Sequence, residues 1–140
     1  MTVHLARFKR TAVLGLAAAA ALIGPAAVCA PADAGSTPEA ICGSGYHEID
    51  QHNLNNVVTF YLMYNGSTDC QVAWKTANVG IPTEVATIIE RQSDHHHVAD
   101  DGKYSYYAGP VKIYAPGTCI DWGGSAGSYG YWESGWSHCR

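Results

Sequence analysis

The chain has 140 residues, enough for one small domain, and carries eight Lys/Arg against twelve Asp/Glu, a formal net charge of -4. An acidic chain this poor in cations excludes a dedicated nucleic-acid binder, whose affinity rests on neutralising phosphates. Polybasic attachment to anionic membrane is excluded on the same ground.

Arg7, Lys9 and Arg10 precede an uncharged apolar run from Thr11 to Gly24, and small residues continue to Gly35. Charge, length and order are those of a secretory signal peptide, too short for a comfortable membrane span. Cleavage is expected after Ala34, because a cut after Ala30 would leave Pro31 first. Ala26-Ala27-Val28-Cys29 matches a lipoprotein signal only faintly, with Val where a small residue is needed. Residues 1–34 are therefore read as a leader and residues 35–140 as a single exported domain, without membrane attachment once the leader is gone. That domain holds five Lys/Arg against eleven Asp/Glu, a net -6, and four cysteines: Cys42, Cys70, Cys119 and Cys139. An even count in an exported chain reads as two disulfides, and no C-x-x-C pair supports a zinc site. Of three possible connectivities, the nested one is the preferred expectation, with Cys42–Cys139 tying the ends and Cys70–Cys119 the middle.

In chain order, residues 35–41 form a short Ser/Thr/Pro entry and Gly43-Ser44-Gly45 a turn. Residues 46–50 alternate weakly like a strand, and the polar, Asn-rich residues 51–56 read as a loop. Residues 57–64 are the clearest strand, with apolar residues on both faces. Asn65-Gly66 signals a hairpin turn, and residues 71–76 return as its partner. Asn65-Gly66-Ser67 also fits a glycosylation sequon, read here as a turn. Residues 83–92 suit helix or strand, and their β-branched content favours strand. Residues 93–102 read as a charged loop with three consecutive histidines. Residues 103–124 read as a hairpin about Ala115-Pro116-Gly117-Thr118, with Pro and Gly placed for a type II turn. Counting outward pairs Ile113 with Ile120, Val111 with Trp122, Lys112 with Asp121 and Tyr114 with Cys119, which puts Val111, Ile113, Ile120 and Trp122 on one apolar face. A glycine/serine run, residues 123–130, and a short strand, residues 129–133, complete the chain. Short strands between turns, with no long amphipathic helix, define an all-β domain, a small disulfide-stapled β-sandwich or partly open barrel.

Chemical motifs are sparse. Gly123-Gly124-Ser125-Ala126-Gly127 fits G-x-S-x-G, but a nucleophile elbow needs a helix after the serine, and Ser128-Tyr129-Gly130-Tyr131 cannot supply one. His95, His96 and His97 with Asp94, Asp100 and Asp101 could bind a divalent metal weakly, yet consecutive residues point apart and a solvated loop is expected. Glu48 and Asp50 would share one face of a strand, at a spacing that suits a glycosidase pair only by accident. No cofactor, metal centre or catalytic set is assigned. Trp122, Tyr129, Tyr131, Trp132 and Trp136 crowd the last fifth of the chain, and Trp132 and Trp136, amid Gly and Ser, are the candidate ligand-binding aromatics of a carbohydrate or cell-wall-polysaccharide module.

Cys42-Gly43-Ser44-Gly45-Tyr46, Tyr61-Leu62-Met63-Tyr64-Asn65-Gly66, the run from Tyr104 to Val111, the run from Cys119 to Gly127, and His138-Cys139 together resemble the spore-associated protein A family of the streptomycetes and its secreted actinomycete relatives. The resemblance covers nearly all of residues 42–139. Its most specific parts are Tyr106-Tyr107-Ala108-Gly109-Pro110-Val111 and the Cys119-to-Gly127 segment. The histidine loop, Trp132 and Trp136 depart from it. The resemblance implies an exported protein found with the spore or aerial cell surface, and brings no catalytic residues. The expected function is thus a secreted, non-catalytic protein of the spore or cell envelope, extracellular or surface-bound, whose partner is a wall or spore-surface polymer. The alternatives are the polysaccharide-binding module and a secreted protease inhibitor, the latter needing a rigid exposed loop beside a disulfide, at Pro116 to Cys119 or Ser67 to Cys70.

Overall fold

The alternation from Val58 to Tyr64 has a concrete origin in the computed structural model, which describes residues 36–140. Strand β2 (Val58–Tyr64) buries Val58, Phe60 and Leu62 on one side and Met63 and nearly all of Thr59 on the other. It lies inside a four-stranded antiparallel sheet ordered β1 (His47–Leu54), β2, β3 (Thr68–Lys75), β6 (Tyr107–Tyr114). The second four-stranded sheet is ordered β5 (His97–Tyr104), β4 (Thr83–Arg91), β7 (Ile120–Ser125), β8 (Tyr131–Glu133), with a short 3-10 turn Gly127–Tyr129 before β8. The two sheets face each other across one core that contains Phe60, Leu62, Val85, Ile89, Val111, Ile113, Ile120 and Trp122. Two separate sheets, which do not close into a barrel, are the arrangement of a β-sandwich. The expected leader, residues 1–34, lies outside the described residues. Among the described residues no helix is long and apolar enough to cross a membrane.

Met63, Cys70 and Val72 face away from that core and are covered by a five-residue helix, α1 (Pro38–Cys42). Thr37 caps it by accepting a bond from the Ala40 amide at 3.2 Å, and Pro38 opens its first turn, where no amide partner is needed. A Cys42–Cys70 disulfide fixes the helix to β3, and a Cys119–Cys139 disulfide closes the chain around β7 and β8. The expected nested pairing, Cys42–Cys139 with Cys70–Cys119, is therefore replaced by a sequential one. The reason is geometric: Cys70 points to the outer face of the first sheet, beneath α1, whereas Cys119 leads into the second sheet.

The expected hairpin is also corrected. Val111, Ile113, Ile120 and Trp122 are buried together as anticipated, at 3% exposure or less. They come, however, from opposite sheets. Strand β6 pairs with β3, setting Lys112 opposite Cys70, and β7 pairs with β4, setting Asp121 opposite Glu90. Lys112 and Asp121 are not partners; the Lys112 ammonium lies 5.1 Å from the centre of the Tyr46 ring. Alternation tells a strand which face to bury but not which neighbour to bond. The Pro116-Gly117 corner, with Gly117 at φ +69°, carries the chain from one sheet to the other. Unprimed turns match hairpin twist poorly, which suits the corner to that crossing.

Three polar stretches read as loops belong to strands. Strand β1 runs on to Leu54, and the turn falls at Asn55 and Asn56, both at positive φ, a conformation Asn tolerates. Residues 97–102 belong to β5, an edge strand whose polar side chains alternate with Val98. Gly123 and Gly124 lie within β7, where a Cβ on either would come within 2.0 Å of a carbonyl oxygen, that of Trp132 or of Ala86. Only glycine lets the neighbouring strands approach this closely.

Candidate functional site

Antiparallel pairing gathers one end of several strands at the same end of the sandwich. Val57 follows the β1–β2 turn, Pro82 and Thr83 open β4, Lys103 lies near the end of β5, and Ala126 to Tyr129 follow β7. Together with Glu84 and Val85 they line a cleft of about 300 Å³. Its inner wall is apolar, with Val85 and Ala126 both 2% exposed. Its rim is polar and open: Glu84, Lys103, Ser128 and Tyr129 are all exposed.

Local bonds hold this rim in place. The Asn55 side chain donates to the Tyr129 carbonyl at 2.8 Å, tying the 3-10 turn to the β1–β2 turn. The Tyr129 amide donates to Ala126 O and the Ala126 amide to Gly130 O, each at 3.0 Å. Gly127 sits at φ +52°, a left-handed conformation that favours glycine, and a Cβ there would make only ordinary contact with Glu84 Cβ at 3.5 Å. Glu84 and Lys103 are register partners on adjacent strands, yet their head groups do not close into an ion pair. The cleft thus presents one carboxylate, one ammonium, two hydroxyls and an exposed phenol ring above an apolar wall.

The other candidates are placed elsewhere. Trp132 turns inward: His52 stacks on it at 3.8 Å, Trp122 meets it edge-on at 5.0 Å, and Phe60 lies at 6.3 Å. Trp136 is 42% exposed and touches His95 edge-on at 5.7 Å. The two tryptophans therefore do not share an open face. His95 Nδ1 lies 2.7 Å from Glu90 Oε1 on the exposed surface, while His97 belongs to β5. Among the described residues no three His, Cys, Asp or Glu side chains converge on a point that could hold a metal ion.

Glu48 and Asp50 are separated by a register shift in β1, so they do not share a face, and Asp50 Oδ2 meets His138 Nε2 at 3.0 Å. Ser125 is the last residue of β7, opposite Ala86 and Tyr131, and a single 3-10 turn follows it in place of the α-helix of a nucleophile elbow. Asn65 Oδ1 accepts from the Ser67 and Thr68 amides, as its reading as a turn expects. Of the two loops considered for protease inhibition, Ser67 to Cys70 mostly belongs to β3, with Asp69 and Cys70 fully buried. A second depression, lined by Ile88, Glu90, Asp121, Trp122 and Glu133, holds about 60 Å³. That is room for only one or two waters at about 30 Å³ each. Sequence reasoning did not find the larger cleft, because its walls come from four separated segments. The one local signal was Gly127 beside an aromatic-rich run.

Fold and cleft define the class: a two-disulfide antiparallel β-sandwich with an open, polar-rimmed cleft at one end. No family model matches the chain, and no solved structure matches it. The chain is 34% identical over 131 residues to Spore-associated protein A of Streptomyces coelicolor, an alignment spanning 92% of this chain and 84% of that protein. The chain belongs to the spore-associated protein A family.

Proposed function

We propose that this protein is a secreted, non-catalytic component of the outer surface of the spore or cell envelope, held there by contact with a wall or spore-surface polymer. The observation that carries this reading is the relationship to Spore-associated protein A across 92% of the chain. Export is supported by the leader-like composition of residues 1–34, and durability outside the cell by the two disulfides. The absence of a catalytic role is supported by the position of Ser125 in a strand and by the separation of Glu48 from Asp50. Fractionation of a sporulating culture with an antibody to the chain tests the reading. Recovery with washed spores or cell walls is expected; recovery in the soluble medium alone would overturn it.

A further inference from the structure

The geometry points to the cleft at the Tyr129 end of the sandwich as a binding site for one uncharged pyranose ring of a glycan chain. The inference rests on the surface reading for its biological setting, but its chemistry is that of the cleft. A pyranose has an apolar C–H face and a periphery of hydroxyls that both donate and accept. The cleft offers a counterpart to each. Val57, Val85 and Ala126 form an apolar wall, and the exposed ring of Tyr129 supplies an aromatic face whose negative quadrupole attracts polarised C–H groups.

On the same rim, the Glu84 carboxylate accepts and the Lys103 ammonium donates. As register partners their Cβ atoms are about 4.5–5.5 Å apart, so the two heads can engage neighbouring hydroxyls of one ring. The Thr83 and Ser128 hydroxyls can do either. No side-chain polar group of Thr83, Glu84, Lys103, Ser128 or Tyr129 is hydrogen-bonded to another described residue, so all five are available to a ligand.

Charge and size select the ligand class. One carboxylate against one ammonium leaves no excess charge, which disfavours phosphate, sulfate or a cationic ligand and favours a neutral polyol. A volume of about 300 Å³ stands at the bottom of the roughly 300–1,000 Å³ range of small-molecule sites, suited to a single ring. The open rim lets that ring enter as one unit within a longer chain.

The test is a titration of the ¹⁵N-labelled, disulfide-intact domain with a β-1,4-linked glucose hexamer and with a β-1,4-linked N-acetylglucosamine hexamer, followed by amide shifts. Inorganic phosphate serves as the control. At least one hexamer is expected to shift Glu84, Gly127, Ser128 and Tyr129, and phosphate none of them. Tyr129→Ala is expected to weaken that binding about tenfold, the loss of one aromatic contact. Lys103→Met should weaken it as well, and Trp136→Ala should leave it unchanged. Because Tyr129 and Lys103 are exposed, unchanged unfolding midpoints for both variants are expected and would show that the losses are local. Shifts confined to Trp136 and His95, or no shift with either hexamer, would overturn the assignment. Either result is independent of fractionation: a protein absent from spores could still bind a hexamer, and a protein present on spores could fail to.

Discussion

The side-chain amide of Gln71 reads both backbone groups of Gly123 across the interior: Nε2 donates to the Gly123 carbonyl at 2.5 Å, and Oε1 accepts from its amide at 3.2 Å. Gln71 is fully buried on β3 and Gly123 is on β7, so one side chain clips the two sheets together through the core. Replacement by an apolar residue of similar size, Gln71→Leu, would leave an amide and a carbonyl unpaired where water does not reach. At about 1–3 kcal/mol for each of the two stranded groups, a loss of about 2–6 kcal/mol is expected, read from the urea midpoint with an unchanged slope. A variant as stable as the parent would show that Gly123 finds other partners.

A second clasp joins Arg140 to Asp69. The Arg140 guanidinium donates to Asp69 Oδ1 at 2.9 Å and lies 3.8 Å from the centre of the Tyr64 ring. The Asp69 side chain is 1% exposed; burial raises its carboxyl above the ordinary range, while Arg140 opposes the shift. A raised carboxyl favours folding below its ordinary value of 3.8, and that contribution fades as pH rises through the folded value. Arg140→Ala should raise the carboxyl further and cost about 3 kcal/mol at pH 7, where a buried carboxylate loses its partner. The penalty should shrink below pH 3.8, where neutral Asp69 needs no cation. Urea unfolding of both proteins at the two pH values checks this; equal penalties would argue that Arg140 acts only through packing on Tyr64.

Lys75 is 2% exposed and its ammonium donates to the carbonyls of Asn78, Ile81 and Tyr104, at 2.9, 2.5 and 3.0 Å. It organises the β3–β4 loop whose far end supplies Pro82 to the cleft. Lys75→Met should cost about 2–3 kcal/mol by stranding these acceptors. It should also speed hydrogen exchange at Gly80 and Ile81 more than at Val111. Uniform acceleration would instead indicate a global loss without a local role.

At the opposite end of β4, Arg91 and Asp94 form a two-pronged pair, with bonds of 2.9 and 2.6 Å. Arg91 holds the Asp94 carboxyl at about 2, against an ordinary 3.8. A depressed carboxyl supports folding above its ordinary value, and that support is lost as pH falls through about 2. An NMR titration of Asp94 should show this low midpoint, and Arg91→Gln should return it toward the ordinary range. Asp94 is exposed and Arg91 partly so, and added salt should therefore narrow the difference.

These contacts show where the sequence was informative. The β2 alternation and the burial of Val111, Ile113, Ile120 and Trp122 were legible because they depend on each residue's own hydrophobicity and position. Strand partners were not, since Lys112 opposite Asp121 and Lys112 opposite Cys70 satisfy the same alternation. The second half of β1 and most of β5, both edge strands, looked like loops because solvent on one side permits polar residues there. Trp132 looked exposed from its Gly and Ser neighbours, yet β8 turns it toward Trp122. The cleft was hidden because its chemistry assembles only when the ends of β4, β5 and β7 meet the β1–β2 turn.

Cys70 and Asp69 are consecutive in β3, and one is bonded to Cys42 while the other is paired with Arg140. Both flanks of the domain are thus fastened at the beginning of β3, whereas Lys75, about 20 Å away along the strand, leads to the cleft loop. A tether attached through either flank would therefore hold the sandwich by its base. Grafted to a bead or sensor in this way, the domain would stand with Tyr129, Glu84 and Lys103 facing the surroundings and not the support.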